Sequence, residues 1–400
     1  MAERVLLHVG TPKTGTSAVQ HALFGHRGDL AGQGVLYPGD RFDAHFLAAL
    51  DLMQLPWGGL EAEAAGAWDR LAEEVRTWPG TAIVSHEILG RASRQQAVRA
   101  LASFGTTEID LVVSARDLAR QLPAEWQENL KHRRTLSYAG FLEALRDPAR
   151  SAEIAQWFWS VQELPDILDR WATGLPPERV HVLTVPPAGS PEDVLAARFA
   201  GAFGLDPVLL AGRDRANASL GVAESALLRA LNERLEVALP NHHYRQFVRE
   251  ELVHRNLGTR RESARLTLPA DAHAWARALA TSWVEDLRAR GCQVVGDLDE
   301  LVPTAEPPVF VDPDHADASE VVQAALRALT GSVLENARLR DVEIHLHGDI
   351  TDLMGQLDAA HATRSYRFKQ RLVRAADDSV VARTGLAAYR RLRGSSSRST

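Results

Sequence analysis

Four short apolar runs, at residues 4–9, 81–85, 109–114 and 180–185, are each rich in Val, Ile or Leu and show no polar alternation. Runs of that length predict strands buried on both faces. Between them, apolar residues recur at three- and four-residue spacing over 61–77, 117–132, 162–173 and 191–203, which is the period of an amphipathic helix. Strands alternating with helices predict an α/β fold, a parallel sheet flanked by helices. In such sheets ligands bind at the carboxyl ends of the strands, so candidate chemistry is sought there.

Further along, 221–239 and 271–290 carry helical patterns, and 292–295 reads as another strand. Residues 302–318 are rich in Pro and Asp without periodicity, as a linker would be. Helical patterns return over 320–346 and 366–392. The division expected is an α/β domain over 1–305, a linker over 306–318, a C-terminal helical extension over 319–394 and a disordered tail over 395–400. No internal repeat is present.

Composition narrows the class. The 400 residues are 45% hydrophobic and 24% charged, enough apolar material for a sizeable core. One cysteine, Cys292, excludes an intramolecular disulfide framework and a multi-cysteine zinc site. No run of about 18 apolar residues predicts a membrane span. The opening MAERVLLHVGTPKTG reaches a lysine and a glycine turn before a signal-peptide core could form, so a cytoplasmic enzyme is expected. The net charge of −7 is uneven: residues 361–400 hold ten Arg or Lys against Asp377 and Asp378, a tail of +8, which leaves −15 for the rest. That bulk acidity argues against a nucleic-acid binder. Only Lys13, Lys131 and Lys369 are lysines among 45 basic residues, so a lysine placed inside a glycine turn needs a reason.

That turn is Val9-Gly10-Thr11-Pro12-Lys13-Thr14-Gly15-Thr16-Ser17-Ala18. A hydrophobic strand ends in it and a helix opens from it. Backbone N–H groups at such a helix start converge with the positive end of the helix dipole, and Gly15 allows close approach of a phosphate. A tight turn with a threonine N-cap accounts for Thr16 or Ser17 but not for a lysine in mid-turn. The nucleotide-triphosphatase motif requires Gly-Lys-Ser/Thr at the helix start; here Thr16 stands where that lysine belongs, and the lysine has moved to position 13.

Pro-Lys-Thr-Gly-Thr-Ser after a first strand resembles the phosphosulfate loop of the sulfotransferases that use 3′-phosphoadenosine 5′-phosphosulfate. The resemblance implies that the nucleotide is the co-substrate, that Lys13 contacts the oxygen bridging phosphate and sulfate, and that Thr14, Gly15, Thr16 and Ser17 hold the 5′-phosphate. It further implies a 3′-phosphate site at the end of the third strand, where the family has an arginine and, eight residues later, a serine. Arg116 matches the arginine, and Ala124 stands in the serine's place. Ser114, Gln121 and Gln127 are the candidates to replace that hydroxyl. The alternative for Arg116 is a pair with a carboxylate such as Glu125. The stretch Arg213-Asp214-Arg215-Ala216-Asn217-Ala218-Ser219-Leu220 resembles the loop that closes over the nucleotide, which implies cofactor contacts from Asn217 and Ser219; a helix cap at either residue is the competing reading.

Sulfuryl transfer needs a cation at the leaving oxygen, donors for the sulfuryl oxygens and a base for the acceptor hydroxyl. Lys13 supplies the first, and Thr14, Thr16 and loop amides the second. The second predicted strand ends Ser85-His86-Glu87, and related enzymes place a histidine or a glutamate base there; Glu87 is the first candidate, His86 the second and His45 an outside one. No metal is expected: the acidic stretch 312–317 has a proline and lacks a calcium-loop glycine, and His345 and His347 near Asp349 find no third ligand. The expected partner is a hydroxyl-bearing acceptor, a carbohydrate, glycolipid or small metabolite. The helical extension is a candidate surface for homo-oligomer or partner contacts. Two other readings remain open, a P-loop nucleotide kinase and a non-catalytic nucleotide-binding assembly protein.

Overall fold

The structure, a computed structural model, describes residues 2–210, 219–235, 238–259 and 263–378. Two compact units divide the chain, Met1–Ala328 and Leu329–Thr400.

The first unit is built on six parallel strands: β1 (Arg4–His8), β2 (Val35–Leu36), β3 (Thr81–Ser85), β4 (Glu108–Ala115), β5 (Val180–Thr184) and β6 (Gln293–Val295). Their order is β2-β3-β1-β4-β5-β6, which puts β1 in the middle between β3 and β4. The four expected apolar strands are β1, β3, β4 and β5, and the stretch at 292–295 forms the edge strand β6. The two-residue β2 is too short to leave a periodic signal.

Side-chain alternation explains why these strands read as continuous apolar runs. Val5, Leu7, Val84, Leu111 and Val113 face one side of the sheet and pack with Trp68, Trp126 and Trp171. Leu6, Ile83, Val112 and Leu183 face the other and pack with Val19, Leu23, Phe199 and Phe203. Helices cover both faces, so neither needs polar residues.

The helical expectations translate with small shifts. The 117–132 pattern is the helix Leu118–Lys131, 162–173 is Leu164–Trp171, 191–203 is Asp193–Phe203 and 271–290 is Ala270–Arg290. The 61–77 pattern is broken into Glu61–Ala64 and Ala67–Thr77, because Gly66 takes a φ of 71° between them. Thr16–Gly25 is the helix expected to open from the glycine turn, whereas Arg27–Gly32, Ala44–Met53, Arg94–Ser103, Tyr138–Arg146, Glu153–Gln162 and the helical segment Tyr244–Asn256 escaped the periodic pattern except at their edges.

The stretch 306–318 lies within the first unit. Phe310 packs on the core. The Asp314 carboxylate accepts the Tyr138 and Ala139 N–H groups at 2.9 Å each, satisfying the open start of the helix Tyr138–Arg146. The helix Ala318–Ala362 has Ala324 and Ala328 buried. In the second unit that helix exposes Val333, Leu339, Val342, Leu346, Ile350, Leu353 and Leu357, and the helix Arg364–Asp378 follows. The rest of the expected 366–392 helix and the 395–400 tail lie outside the described residues. Among the described residues, no helix is long and apolar enough to cross a membrane.

Candidate active site

β1 ends at His8, and the chain turns through Gly10 to Gly15 before the helix Thr16–Gly25. Gly10 has a φ of 124°, and a Cβ there would lie 2.8 Å from the Glu87 carbonyl oxygen, so only glycine lets β1 and β3 deliver their ends this close. Gly15 has a φ of 86° and forms the N-cap of the helix. Lys13 itself is left-handed, with a φ of 64°.

A buried polar layer braces the loop from below. The Thr14 hydroxyl donates to Thr11 O and lies 2.6 Å from the Ser114 hydroxyl, and Ser114 Oγ is 2.9 Å from Gly10 O. His8 bridges Ser85 Oγ at 2.8 Å and Ser114 Oγ at 3.0 Å. Burial, the largest influence, holds His8 at about 4, so the ring is neutral near pH 7. Thr14 and Ser114 therefore lie beneath the loop, joined to each other.

Above this layer the loop is open. Thr11 N–H donates to Ser114 O and Ala18 N–H to Gly15 O, but the N–H groups of residues 13–17 find no acceptor among the described residues. Five such groups at a helix start form a site for an anion. Lys13, Gly15, Thr16 and Ser17 line a broad cleft at the carboxyl ends of the strands, together with His86, Glu87, Arg116, Ala124, Glu125, Glu128 and Ser219.

The Lys13 ammonium is 2.5 Å from Glu128 on the helix Leu118–Lys131. Glu128 also meets His132 at 3.2 Å, Arg249 at 3.3 Å and Lys131 at 3.9 Å. Burial alone would raise its pKa, yet the hydrogen bond from His132 and the charges of Lys13, Lys131 and Arg249 hold it far below the carboxylate range. Arg116 Nε donates to Gln121 Oε1 at 3.0 Å, and another guanidinium nitrogen donates to Arg120 O at 2.9 Å. No Arg116–Glu125 hydrogen bond forms, so the carboxylate pair left open for Arg116 is replaced by Gln121. Burial and the nearby Arg120 lower Arg116 to about 10. Gln121 also donates to Pro12 O at 2.9 Å, which ties the end of β4 to the phosphate loop.

At the end of β3, Glu87 Oε2 accepts from Gln20 Nε2 at 2.9 Å. Burial pulls this carboxyl upward, but His86, Gln20 and His8 outweigh it and bring it below its ordinary value. His86 Nδ1 accepts the Ile88 N–H at 3.3 Å, its ring packs on Phe46, and burial lowers its pKa. His45 does not border the cleft: Ser85 N–H donates to its Nδ1 at 3.1 Å, Nε2 donates to Pro38 O at 2.8 Å, and Tyr37 stacks on the ring. Both nitrogens are used inside the fold.

Ser219 reaches the cleft and donates to Gln127 Oε1 at 3.2 Å, while Gln127 Nε2 donates to Leu220 O at 2.6 Å. Gln121 and Gln127, both candidates for the missing hydroxyl, are thus engaged within the chain. Asn217 lies outside the described residues. Pattern reading missed Gln20, Glu128 and Arg249, and named Glu125 only as a pairing partner for Arg116. For Glu125 and Glu128 a signal existed, since positions 121, 125 and 128 share one face of a 3.6-residue helix. Among the described residues, no three His, Cys, Asp or Glu side chains are grouped to hold a metal ion.

No protein-family profile and no curated protein matches the chain. The chain is similar to the crystal structure of a sulfotransferase from Alicyclobacillus acidocaldarius, at 19% sequence identity and a TM-score of 0.35, over 58% of this chain and 94% of that one.

Proposed function

We propose that the chain transfers the sulfuryl group of 3′-phosphoadenosine 5′-phosphosulfate to a hydroxyl of a carbohydrate, glycolipid or small metabolite. The observation that carries this reading is the cradle at residues 13–17, five N–H groups with no acceptor among the described residues around a lysine in mid-turn. A kinase loop would place its lysine at the helix start. Gly15, where a Cβ would lie 2.7 Å from Leu195 Cδ2, lets the helix start sit close beneath the cleft, and Arg116 at the end of the next strand offers a second cationic corner.

When bound, the nucleotide supplies an activated sulfuryl group. The loop amides and the Thr16 and Ser17 hydroxyls hold its 5′-phosphate, and Arg116 its 3′-phosphate. Lys13 exchanges Glu128 for the bridging oxygen, where a fixed ammonium stabilises charge that develops as the sulfur–oxygen bond breaks. The acceptor oxygen forms the new bond to sulfur and passes its proton to Glu87. Glu87 suits that role better than His86, whose Nδ1 lone pair is taken by Ile88 N–H, leaving the proton on Nε2. Glu87 is already ionised at neutral pH, with Gln20 holding its orientation.

Calorimetric titration with 3′-phosphoadenosine 5′-phosphate, against ATP with and without magnesium, tests the reading. Magnesium-independent binding of the 3′-phosphorylated nucleotide is expected; preference for ATP with magnesium would assign the cradle to a kinase. Lys13→Ala is expected to lower kcat by about 10²–10³-fold, the scale for loss of one fixed donor at a developing charge. A loss of affinity alone would favour a binding protein.

A further inference from the structure

Glu125 is a buried carboxyl in the cleft wall to which the mechanism above gives no work. It sits on the helix Leu118–Lys131 beside Ala124, is 5% exposed, and its Oε2 has no hydrogen-bond partner among the described residues. A buried carboxylate oxygen left unpaired is costly, so its persistence points to a partner that arrives from outside the chain. Its electrostatic neighbours are Lys13 on the phosphate loop, Glu128 one turn along its own helix and Arg116 at the end of β4. Burial is the largest influence on it and Lys13 the next; with Glu128 and Arg116 they leave its pKa at about 7. Lys131 lies on the same helix, and Arg249, Glu224, His273 and Tyr138 lie on the elements packed against that helix.

We propose that Glu125 carries a proton when the nucleotide binds, and that its carboxyl O–H donates to the 3′-phosphate beside Arg116 in place of the hydroxyl that Ala124 lacks. This rests on the sulfotransferase reading above. An ionised carboxylate beside a phosphate dianion repels it; a protonated one supplies a charge-assisted donor. The proton comes from solvent, so binding takes one up. The phosphate's own titration has the opposite sign, since cations at Arg116 and Lys13 draw its second proton off. The sign of proton exchange therefore separates the two groups.

Calorimetry of the full chain with 3′-phosphoadenosine 5′-phosphate, at roughly pH 7.5 in two buffers of different protonation enthalpy, counts the protons exchanged. The wild type is expected to take up protons with this ligand but not with adenosine 5′-phosphate. Its affinity should fall by up to about tenfold per pH unit between roughly pH 7 and 9. Glu125→Gln, a permanently neutral donor of the same shape, should bind with a flat pH profile and no uptake. Release or no exchange in the wild type, uptake retained in Glu125→Gln, or equal uptake with adenosine 5′-phosphate overturns the proposal. If the variant fails to fold, the wild-type proton counts with the two nucleotides decide. A wild type that does not discriminate the two nucleotides at all refutes the sulfotransferase reading itself, and the proposal falls with it. Discrimination without uptake refutes only the role of Glu125.

Discussion

Glu128 and Lys13 show how one carboxylate can hold a reactive cation in reserve. Glu128 lies among Lys13, Lys131, His132 and Arg249, and Lys131 is lowered to about 8, chiefly by burial. Glu128→Gln removes the carboxylate that these cations share. Unfolding measurements should show a loss on the order of 1–3 kcal/mol, because the buried Lys131 and the half-buried Lys13 lose their carboxylate while Arg249 and His132 stay accessible to water. Titration should show tighter nucleotide binding, since Lys13 no longer has to leave a carboxylate. Unchanged or weaker binding would mean that the ion pair does not compete with the nucleotide. A second prediction concerns the buried histidines. His8 and His45 are both held at about 4 by burial, so the unfolded chain binds more protons than the folded one between roughly pH 4 and 6.5. Each therefore withdraws up to about 1.4 kcal/mol of stability per pH unit as the pH falls through that window. Glu125, raised to about 7, works in the opposite direction over roughly pH 7 to 4.5. Two against one leaves a net loss, and denaturant unfolding at about pH 5 should give a lower free energy than at pH 7. Equal stability at both would show that the two rings are not buried neutral.

The helix Leu118–Lys131 does most of the positioning at the scale of elements. Asp117 caps it by accepting the Arg120 N–H at 3.0 Å, while Gln121, Glu125 and Glu128 descend one face toward Pro12 and Lys13. The opposite face buries Leu122, Trp126 and Leu130 in the core. Burial of that face fixes the rotation of the helix and hence the direction of its polar face. Asp117→Ala should destabilise the protein by about 1 kcal/mol. The cap also precedes Arg116's anchor at Gln121, so nucleotide affinity should fall in the same variant, read by titration. A stability loss without any change in affinity would show that the helix start is not what orients Arg116.

The division into compact units carries a prediction at the scale of the molecule. We propose that residues 1–328 fold as one body, because 306–318 supplies Phe310 to the core and Asp314 to the start of the helix Tyr138–Arg146. A chain ending at Ala328 should melt cooperatively within a few degrees of the full protein and bind nucleotide as it does. A chain ending at Pro303 loses the Asp314 cap and the Phe310 contact and should melt several degrees lower by calorimetry. If both truncations melted alike, 304–328 would contribute nothing to the first unit.

How much was legible in the chain depends on the range of the interaction. The strands β1, β3, β4 and β5 were readable, because a strand buried on both faces must be apolar throughout, and that leaves a continuous run. The phosphate loop was readable too: Gly10, Lys13 and Gly15 are constrained by backbone conformation and by a helix start within ten residues, so their spacing in sequence is their spacing in space. The same locality made His86 and Glu87 visible at a strand end. What sequence could not decide is which polar atoms are already taken. Thr14 and Ser114 are a hundred positions apart in the chain, and only the β1–β4 register brings their hydroxyls together beneath the loop. His45 turns inward because Ser85 and Pro38 claim its two nitrogens. Lys13 meets Glu128, and Glu125 Oε2 is left without a hydrogen-bond partner among the described residues, because the helix packs with that face toward the loop. Local backbone demands are written in neighbouring residues, whereas hydrogen-bond satisfaction and pKa depend on what the folded chain brings alongside, and those were settled only by the tertiary structure.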